Sequence, residues 1–475
     1  MKNTKISDFW FYKFRYQITY TILFISYISI ILYTLFVAPN GLTQAEMDSA
    51  QASFNFSHGP LFSTSIIDAP YKLLQKISIM VFGLSHFSIK LPSILLSLLS
   101  IAGIIKLTHK WFSRGIATLV SIIALTSSQF FFLAQNGTPE ILYILYPIAI
   151  LFIGASFISC EKKFPYAIIM AAVAGVSLYT PFSIYILLAL LATAMTHPHL
   201  RFMVKKIPRN YLSSGVALFL VIILPLLVAI FREPEIIKSL LGWPETLNLA
   251  ENIKLLTAQL FGSTNASSRG IVSPIIDPAS IILIGTGFFF TLSSSWSARS
   301  YSINIWSIIL IAICIANPSA ITILFTPILI LTVSGLQSLI HTWYTIFPKN
   351  PYARVAGLVP VFVIVVGLLL TNLDSFRLSY LYSPEVVNNF SQDLILIQDI
   401  SEPRDSLIVS EKEFGFYSIL DQKVEIFNNT DSKLLVSNKA FVDYKNNNKY
   451  EIKKIFTSNR NQDGDRFYLL ERIWF

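Results

Sequence analysis

Three carboxylates stand where a strongly apolar chain has little reason to keep them. Gly41-Leu-Thr-Gln-Ala-Glu46-Met-Asp48-Ser-Ala50 follows the first long apolar segment and carries Glu46 and Asp48, and Gly137-Thr-Pro-Glu140 opens a later one. A carboxylate held against a hydroxyl can take its proton as a nucleophilic bond forms, an effect of ~10²–10⁴-fold. Four cations lie in neighbouring segments: Lys72, Lys76, Lys90 and Arg269. Such groups stabilise an anionic leaving group. Plainer roles compete. Glu46 and Asp48 are two residues apart and do not share a helical face, so at most one points into a given cavity. Glu140 after Pro139 also reads as a helix start favoured by the dipole. Lys72 and Lys76 read equally as interfacial lysines with snorkelling heads, and Lys90 as a helix flank.

The elements that must position these residues are membrane spans. The 475 residues are 53% hydrophobic and 13% charged, and mean hydropathy is +0.60. Soluble chains carry about 25% charge. Repeated apolar runs long enough to cross ~30 Å of hydrocarbon indicate a polytopic membrane protein, which must be helical to satisfy its own backbone. The formal charge of +9 does not indicate nucleic acid, because the basic residues fall in short loops between apolar runs, as membrane orientation requires. Two cysteines, Cys160 and Cys314, give no disulfide framework or cysteine-rich metal site. The first apolar run is too long for a cleavable signal and reads as a retained anchor.

Lys2, Lys5, Lys13 and Arg15 precede the first span, Gln17–Val37, and place the N-terminus in the cytoplasm. Residues 38–88 are then an outer loop holding Glu46 and Asp48, with an interfacial helix over Pro70–Leu84. Further spans are expected at 89–107, 115–132 and 141–159. The tract 166–196 is broken at Tyr179-Thr-Pro181 into two. The rest fall at 211–231, 276–293, 302–316, 320–342 and 355–373, giving about eleven in all. A large outer loop covers 232–275. From 374 onward polar residues rise and apolar residues come in short runs at Ser406–Ser410, Lys423–Phe427, Lys433–Val436, Lys454–Phe456 and Phe467–Leu470, with a helix over Pro384–Ile400. The expected organisation is therefore an all-α transmembrane domain, 1–373, and a small α/β domain outside the membrane, 374–475.

A basic N-terminus, one helix and an outer loop with an acidic motif resemble the integral-membrane GT-C glycosyltransferases, above all the protein O-mannosyltransferase and aminoarabinose lipid A transferase family. Ala45-Glu46 stands where that family has an Asp-Glu pair, and Asp68-Ala-Pro70-Tyr resembles its Lys-Pro-Pro segment. Phe82-Gly83 followed by Ile89-Lys-Leu-Pro-Ser93 resembles its Phe-Gly and Val-Arg-Leu-Pro-Ser. Gly137-Thr-Pro-Glu140 occupies the place of its second acidic motif, Gly175 to Pro181 that of a Gly-rich segment with a break, and Tyr468-Leu-Leu470 resembles its outer domain. Two positions depart: Ala45 replaces the catalytic Asp, and Ala69 replaces the Lys.

The resemblance implies an enzyme that moves a sugar from a polyprenyl-phosphate donor to a protein, lipid or glycan acceptor on the extracytoplasmic face, with inversion. Glu46 is then the expected base, with Asp48 assisting and Glu140 orienting the acceptor or the base. Lys72, one turn from Ala69, would replace the missing cation, with Lys76, Lys90 and Arg269 as further donor-phosphate ligands. No obligatory cofactor or metal is expected; His197-Pro-His199 lies on the inner side, and the one place for a divalent cation is beside Glu46. Two rivals are a transporter or flippase of lipid-linked sugars, which calls for charges within the spans, and a polysaccharide polymerase or ligase, which calls for paired arginines in a late outer loop. Arg232 and Arg269 are well separated.

Overall fold

The computed structural model describes residues 10–473 except 38–40, 58–65, 161–162, 245, 262–274, 295–296, 348, 379–381, 383–388, 401–405, 421–423, 427–430, 445–448 and 459–463. Among the described residues, seven helices are long and apolar enough to span a membrane, and two bent pairs raise this to as many as nine. Two shorter apolar helices, Phe164–Ser177 and Ser280–Ser293, fill the remaining expected positions. The chain is a multi-pass membrane protein. Pro318–Ile346 runs almost wholly buried through the bundle, while Arg209–Arg232 and Val355–Arg377 turn most of their surface outward.

Two spans differ from expectation in shape. The third is split at Ser127, whose extended backbone separates Arg114–Thr126 from Ser128–Gln135 at 58°. Thr126 Oγ1 binds the Ile122 carbonyl four residues back, a local bond that competes with the helix ladder. The basic stretch after Ile184–Thr196 continues as a short helix, Pro198–Lys205, turned by 94°. His197 caps it, Nδ1 accepting from the Leu200 amide at 3.4 Å. The break expected at Tyr179-Thr-Pro181 is present between Ser177 and Ile184. Phe182 there adopts φ +65°, an outlier for a bulky residue. Its amide donates to Leu240 O at 2.8 Å, and its ring lies against Gly242, where any Cβ would collide with it.

The C-terminal region forms a mixed five-stranded sheet: β1 Ser406–Ile408, β2 Val424–Glu425, β3 Lys433–Ser437, β4 Tyr450–Thr457 and β5 Arg466–Arg472, in the order β2-β1-β3-β5-β4. Each expected apolar run became a strand. β1 pairs parallel with β2 and β3, and β5 antiparallel with β3 and β4. The helix expected over 384–400 is described as Asp393–Asp399; 384–388 lie outside the described residues. Residues 389–392 just before it are not helical, and Ser391 there is taken by a bridge to Leu42, with N–H···O bonds of 2.8 and 2.9 Å in both directions. The transmembrane helix before this region runs on to Arg377, a few residues past the expected boundary.

The sheet region and the first loop share one core. Leu42, Met47, Ala50, Ile79 and Leu84 cluster with Leu394, Leu407, Phe416, Leu435 and Phe467. Each such fully buried side chain contributes ~1.5–3 kcal/mol, so this seam fixes where the loop bearing Glu46 sits. Gly41 permits the approach: a Cβ there would stand 3.0 Å from Phe390 Cβ and from Ser391 O.

Candidate active site

The segments singled out in the sequence meet at one end of the bundle. Helix Gln44–Phe54 starts at a capping box in which Thr43 accepts from the Glu46 amide and Glu46 Oε2 accepts from the Thr43 amide at 2.7 Å, the reciprocal arrangement typical of Ser/Thr followed three residues later by Glu. The other oxygen, Oε1, accepts from the Gly137 amide at 2.7 Å and lies 3.5 Å from Lys90 Nζ. Gly137 must be glycine for this contact, because a Cβ would meet Ile89 Cγ2 at 2.7 Å. Lys90 is buried and donates to the Gly41 carbonyl at 2.8 Å. One carboxylate thus joins the first loop, the head of the second span and the loop before Glu140.

That geometry suits an anchor and not the base expected from the sequence. Glu46 is fully buried and both oxygens are engaged with donors, so no acceptor hydroxyl can take a place on either without breaking the junction. Asp48 is exposed and accepts from Gln44 Nε2 at 2.9 Å on the same helix, on a different face from Glu46. The position of Ala45 is exposed beside it. Lys90, expected as a donor-phosphate ligand, has its ammonium turned to the Gly41 carbonyl and to Glu46. Lys76 is also buried, donating to the Phe54 carbonyl at 3.1 Å. Arg269 lies outside the described residues. Glu140 is half-buried in the single 3-10 turn Pro139–Ile141 that opens the next span.

The expected interfacial helix is present as Ala69–Phe82, with Pro70 in its first turn and Leu73, Ile77, Met80 and Val81 exposed along one side. Its buried side carries a polar network. Gln75 Nε2 donates to the Ile89 and Gly137 carbonyls at 3.0 and 2.8 Å, and its Oε1 accepts from Ser49 and Ser53. Tyr71 Oη pairs with Ser93 Oγ at 2.7 Å. With Gln75, Ser53, Tyr71 and Ser93 buried and Ser49 half-buried, this network fixes the helix against the second span.

At the N-cap of the same helix stands Asp68, which reading the sequence left as part of a motif and not as a site. It is 8% exposed and adopts φ +57°, a left-handed conformation that Asp tolerates better than most residues but that still costs energy. Its amide donates to Tyr179 O at 2.8 Å, which ties it to the break at residues 178–183. Oδ1 makes no hydrogen bond of ordinary geometry. Burial pushes the carboxyl up to about 7, against the opposing pull of the neighbouring Thr180 hydroxyl and of Lys72. Lys72 is half-buried, and burial lowers its ammonium pKa while Asp68 resists. Burial pushes the Tyr71 phenol up, and the charges of Glu46 and Asp68 add to that. An Asp two residues before a Pro in a helix start was the only signal in the sequence.

Comparison with known proteins bears on the whole arrangement. Residues 70–228 match the family model described as dolichyl-phosphate-mannose-protein mannosyltransferase. ArnT from Cupriavidus metallidurans, in a crystal structure bound to undecaprenyl phosphate, is similar with a TM-score of 0.55 at 13% identity, over 95% of this chain and 98% of ArnT. The fold is that of the GT-C glycosyltransferases. The apo oligosaccharyltransferase of Archaeoglobus fulgidus shares this GT-C fold with a TM-score of 0.53 at 12% identity, over 87% of this chain and 65% of its own. AglB of Archaeoglobus fulgidus, in complex with an inhibitory peptide and a dolichol-phosphate, gives 0.50 at 10% identity, over 90% and 70%. No curated protein sequence matches the chain. The helix Ala69–Phe82, from Pro70 onward, and the loop before Glu140 fall inside the matched segment, Asp68 lies two residues before it, and Glu46 reaches into it through Gly137 and Lys90.

Proposed function

We propose that the protein transfers a sugar from a polyprenyl-phosphate donor to an acceptor hydroxyl on the extracytoplasmic face, with Asp68 as the base. The observation that carries the assignment is the pairing of Asp68, with an unpartnered oxygen and a carboxyl near pH 7, with Lys72 one helical turn away. A base works best when its pKa lies near the operating pH. Asp68 in this reading takes over the part that an acid at position 45 would play, from the other end of the same loop.

The step balances as an inverting displacement. The acceptor oxygen bonds to the anomeric carbon as the bond from that carbon to the phosphate oxygen breaks. The hydroxyl proton passes to Asp68, and the lipid phosphate leaves as an anion facing Lys72. Glu46 and Lys90 do no bond chemistry; they hold the loop and the second span in register. Glu140 orients the acceptor. The orientation rests on the basic residues between spans, which put the site outside the cytoplasm and the N-terminus within it.

The test is reconstitution in liposomes with radiolabelled polyprenyl-phosphate hexoses and pentoses and a cell-envelope extract as acceptor. Wild type releases polyprenyl phosphate and labels the extract. If no donor is consumed, the transferase reading fails; if Asp68→Asn transfers at the wild-type rate, the base assignment fails while the transferase reading stands.

A further inference from the structure

A cavity lies at the other end of the bundle. Helix His86–Trp111 has Lys90 near its start and Trp111 at its end, ~30 Å apart at 1.5 Å per residue. Around Trp111 is a cavity of about 210 Å³ whose walls include Gly154, Met170, Met203 and Arg299. At ~30 Å³ per water-sized group, it has room for a segment of one acyl chain. Its wall is almost entirely apolar, with one cation.

Arg299 is that cation. One N–H donates to the Trp111 carbonyl at 2.6 Å and the guanidinium lies 4.7 Å from the centre of the Phe112 ring. Its Nε is buried and has no hydrogen-bond partner. A guanidinium held by one hydrogen bond keeps further N–H donors, and its planar fork matches phosphate geometry. The cavity is roofed by the bent helix Pro198–Lys205, which contributes Leu200, Met203 and Val204 to it and leaves Arg201 and Lys205 exposed, with Lys206 just beyond. A short helix with Leu200 and Met203 half-buried against the bundle and both apolar (Phe202, Val204) and basic residues exposed is suited to a membrane interface, where basic pockets between spans take anionic head groups.

We infer that this cavity binds an anionic phospholipid of the surrounding bilayer, its phosphate on Arg299 and one acyl chain in the apolar pocket. A zwitterionic lipid brings its own cation to a place that already has Arg299 in its wall and Arg201, Lys205 and Lys206 on the helix above it, so charge favours the anionic head group. The inference is independent of the transfer reaction, which lies at the opposite end.

Native mass spectrometry of the purified full chain, titrated with phosphatidylglycerol or phosphatidylcholine, tests it. Wild type retains phosphatidylglycerol preferentially. Arg299→Gln binds it roughly tenfold more weakly, the loss expected for one charge-assisted hydrogen bond. Gly154→Leu, which leaves Arg299 in place, fills the cavity and abolishes retention; a Cβ at Gly154 meets only Met170 Cε, at an ordinary 3.4 Å. Thermal unfolding of both variants confirms that they are folded. Equal retention of the two lipids, or unchanged retention by both variants, overturns the site. Preferential retention of undecaprenyl phosphate in direct competition overturns the assignment to a bilayer phospholipid.

Discussion

Two acid–lysine pairs, Glu46 with Lys90 and Asp68 with Lys72, have opposite characters. Glu46 and Lys90 are both buried, and each has its charge met by backbone as well as by the other. Asp68 and Lys72 face each other across a helix start with an oxygen left over, a strained backbone and a carboxyl pushed up to about 7. Saturation marks structure: a group whose lone pairs are all taken cannot exchange a proton with a substrate without dismantling its surroundings. An incompletely satisfied buried acid is costly and is kept where the cost serves a reaction. Sequence distance gives no hint of this contrast, since both pairs look like loop acids near lysines.

The comparison is broken or sharpened most strongly at Asp68. Asp68→Asn keeps the shape and removes the base, and donor turnover should fall ~10²–10⁴-fold with the chain still folded by circular dichroism. Glu46→Gln should do the reverse. Leaving Lys90 buried without its carboxylate costs ~3–5 kcal/mol, seen as a fall in apparent Tm and in yield. Pairing it with Lys90→Met should recover part of the loss, a coupling that two independent residues would not show.

A smaller effect is the pH dependence. With the carboxyl near 7, turnover should rise through pH 7 to a plateau as Asp68 ionises. Stability runs the other way. A carboxyl raised in the fold favours the protonated state, so its contribution is complete below its ordinary value of 3.8 and lost as pH rises through about 7. Asp68→Asn should therefore gain apparent Tm relative to wild type above pH 7 and lose that advantage in acid. Unchanged pH profiles in both measurements would remove Asp68 from the reaction. The smallest effect belongs to Asp48→Ala. This exposed acid accepts from Gln44 on its own helix, and its loss should change stability by less than ~0.5 kcal/mol and turnover not at all.

Much of the fold was legible because membranes and sheets impose simple patterns. A span must match ~30 Å of hydrocarbon, so apolar runs located the helices, and the break at Tyr179-Thr-Pro181 followed from proline's effect on the residue before it. Short apolar runs after residue 405 marked all five strands. What escaped was bending: Ser127 and His197 end helices through local capping and carbonyl bonds that leave mean hydropathy unchanged. The non-helical stretch 389–392 inside the expected helix escaped because a bridge to Leu42, far away in sequence, claims Ser391.

The sequence alone therefore determined a many-helix membrane bundle with a small strand-rich region after it, and which segments carry acids and cations. It also placed Glu46, Lys90 and Glu140 near one another through the order of the spans. Only the tertiary structure decided which acid is spent and which is left. Glu46 is saturated by an amide 91 residues away and by Lys90, while Asp68 is strained by its tie to Tyr179 and shielded from water by surroundings drawn from other elements. Hydrogen-bond saturation and desolvation are properties of surroundings assembled from distant segments, and residue type and spacing do not encode them.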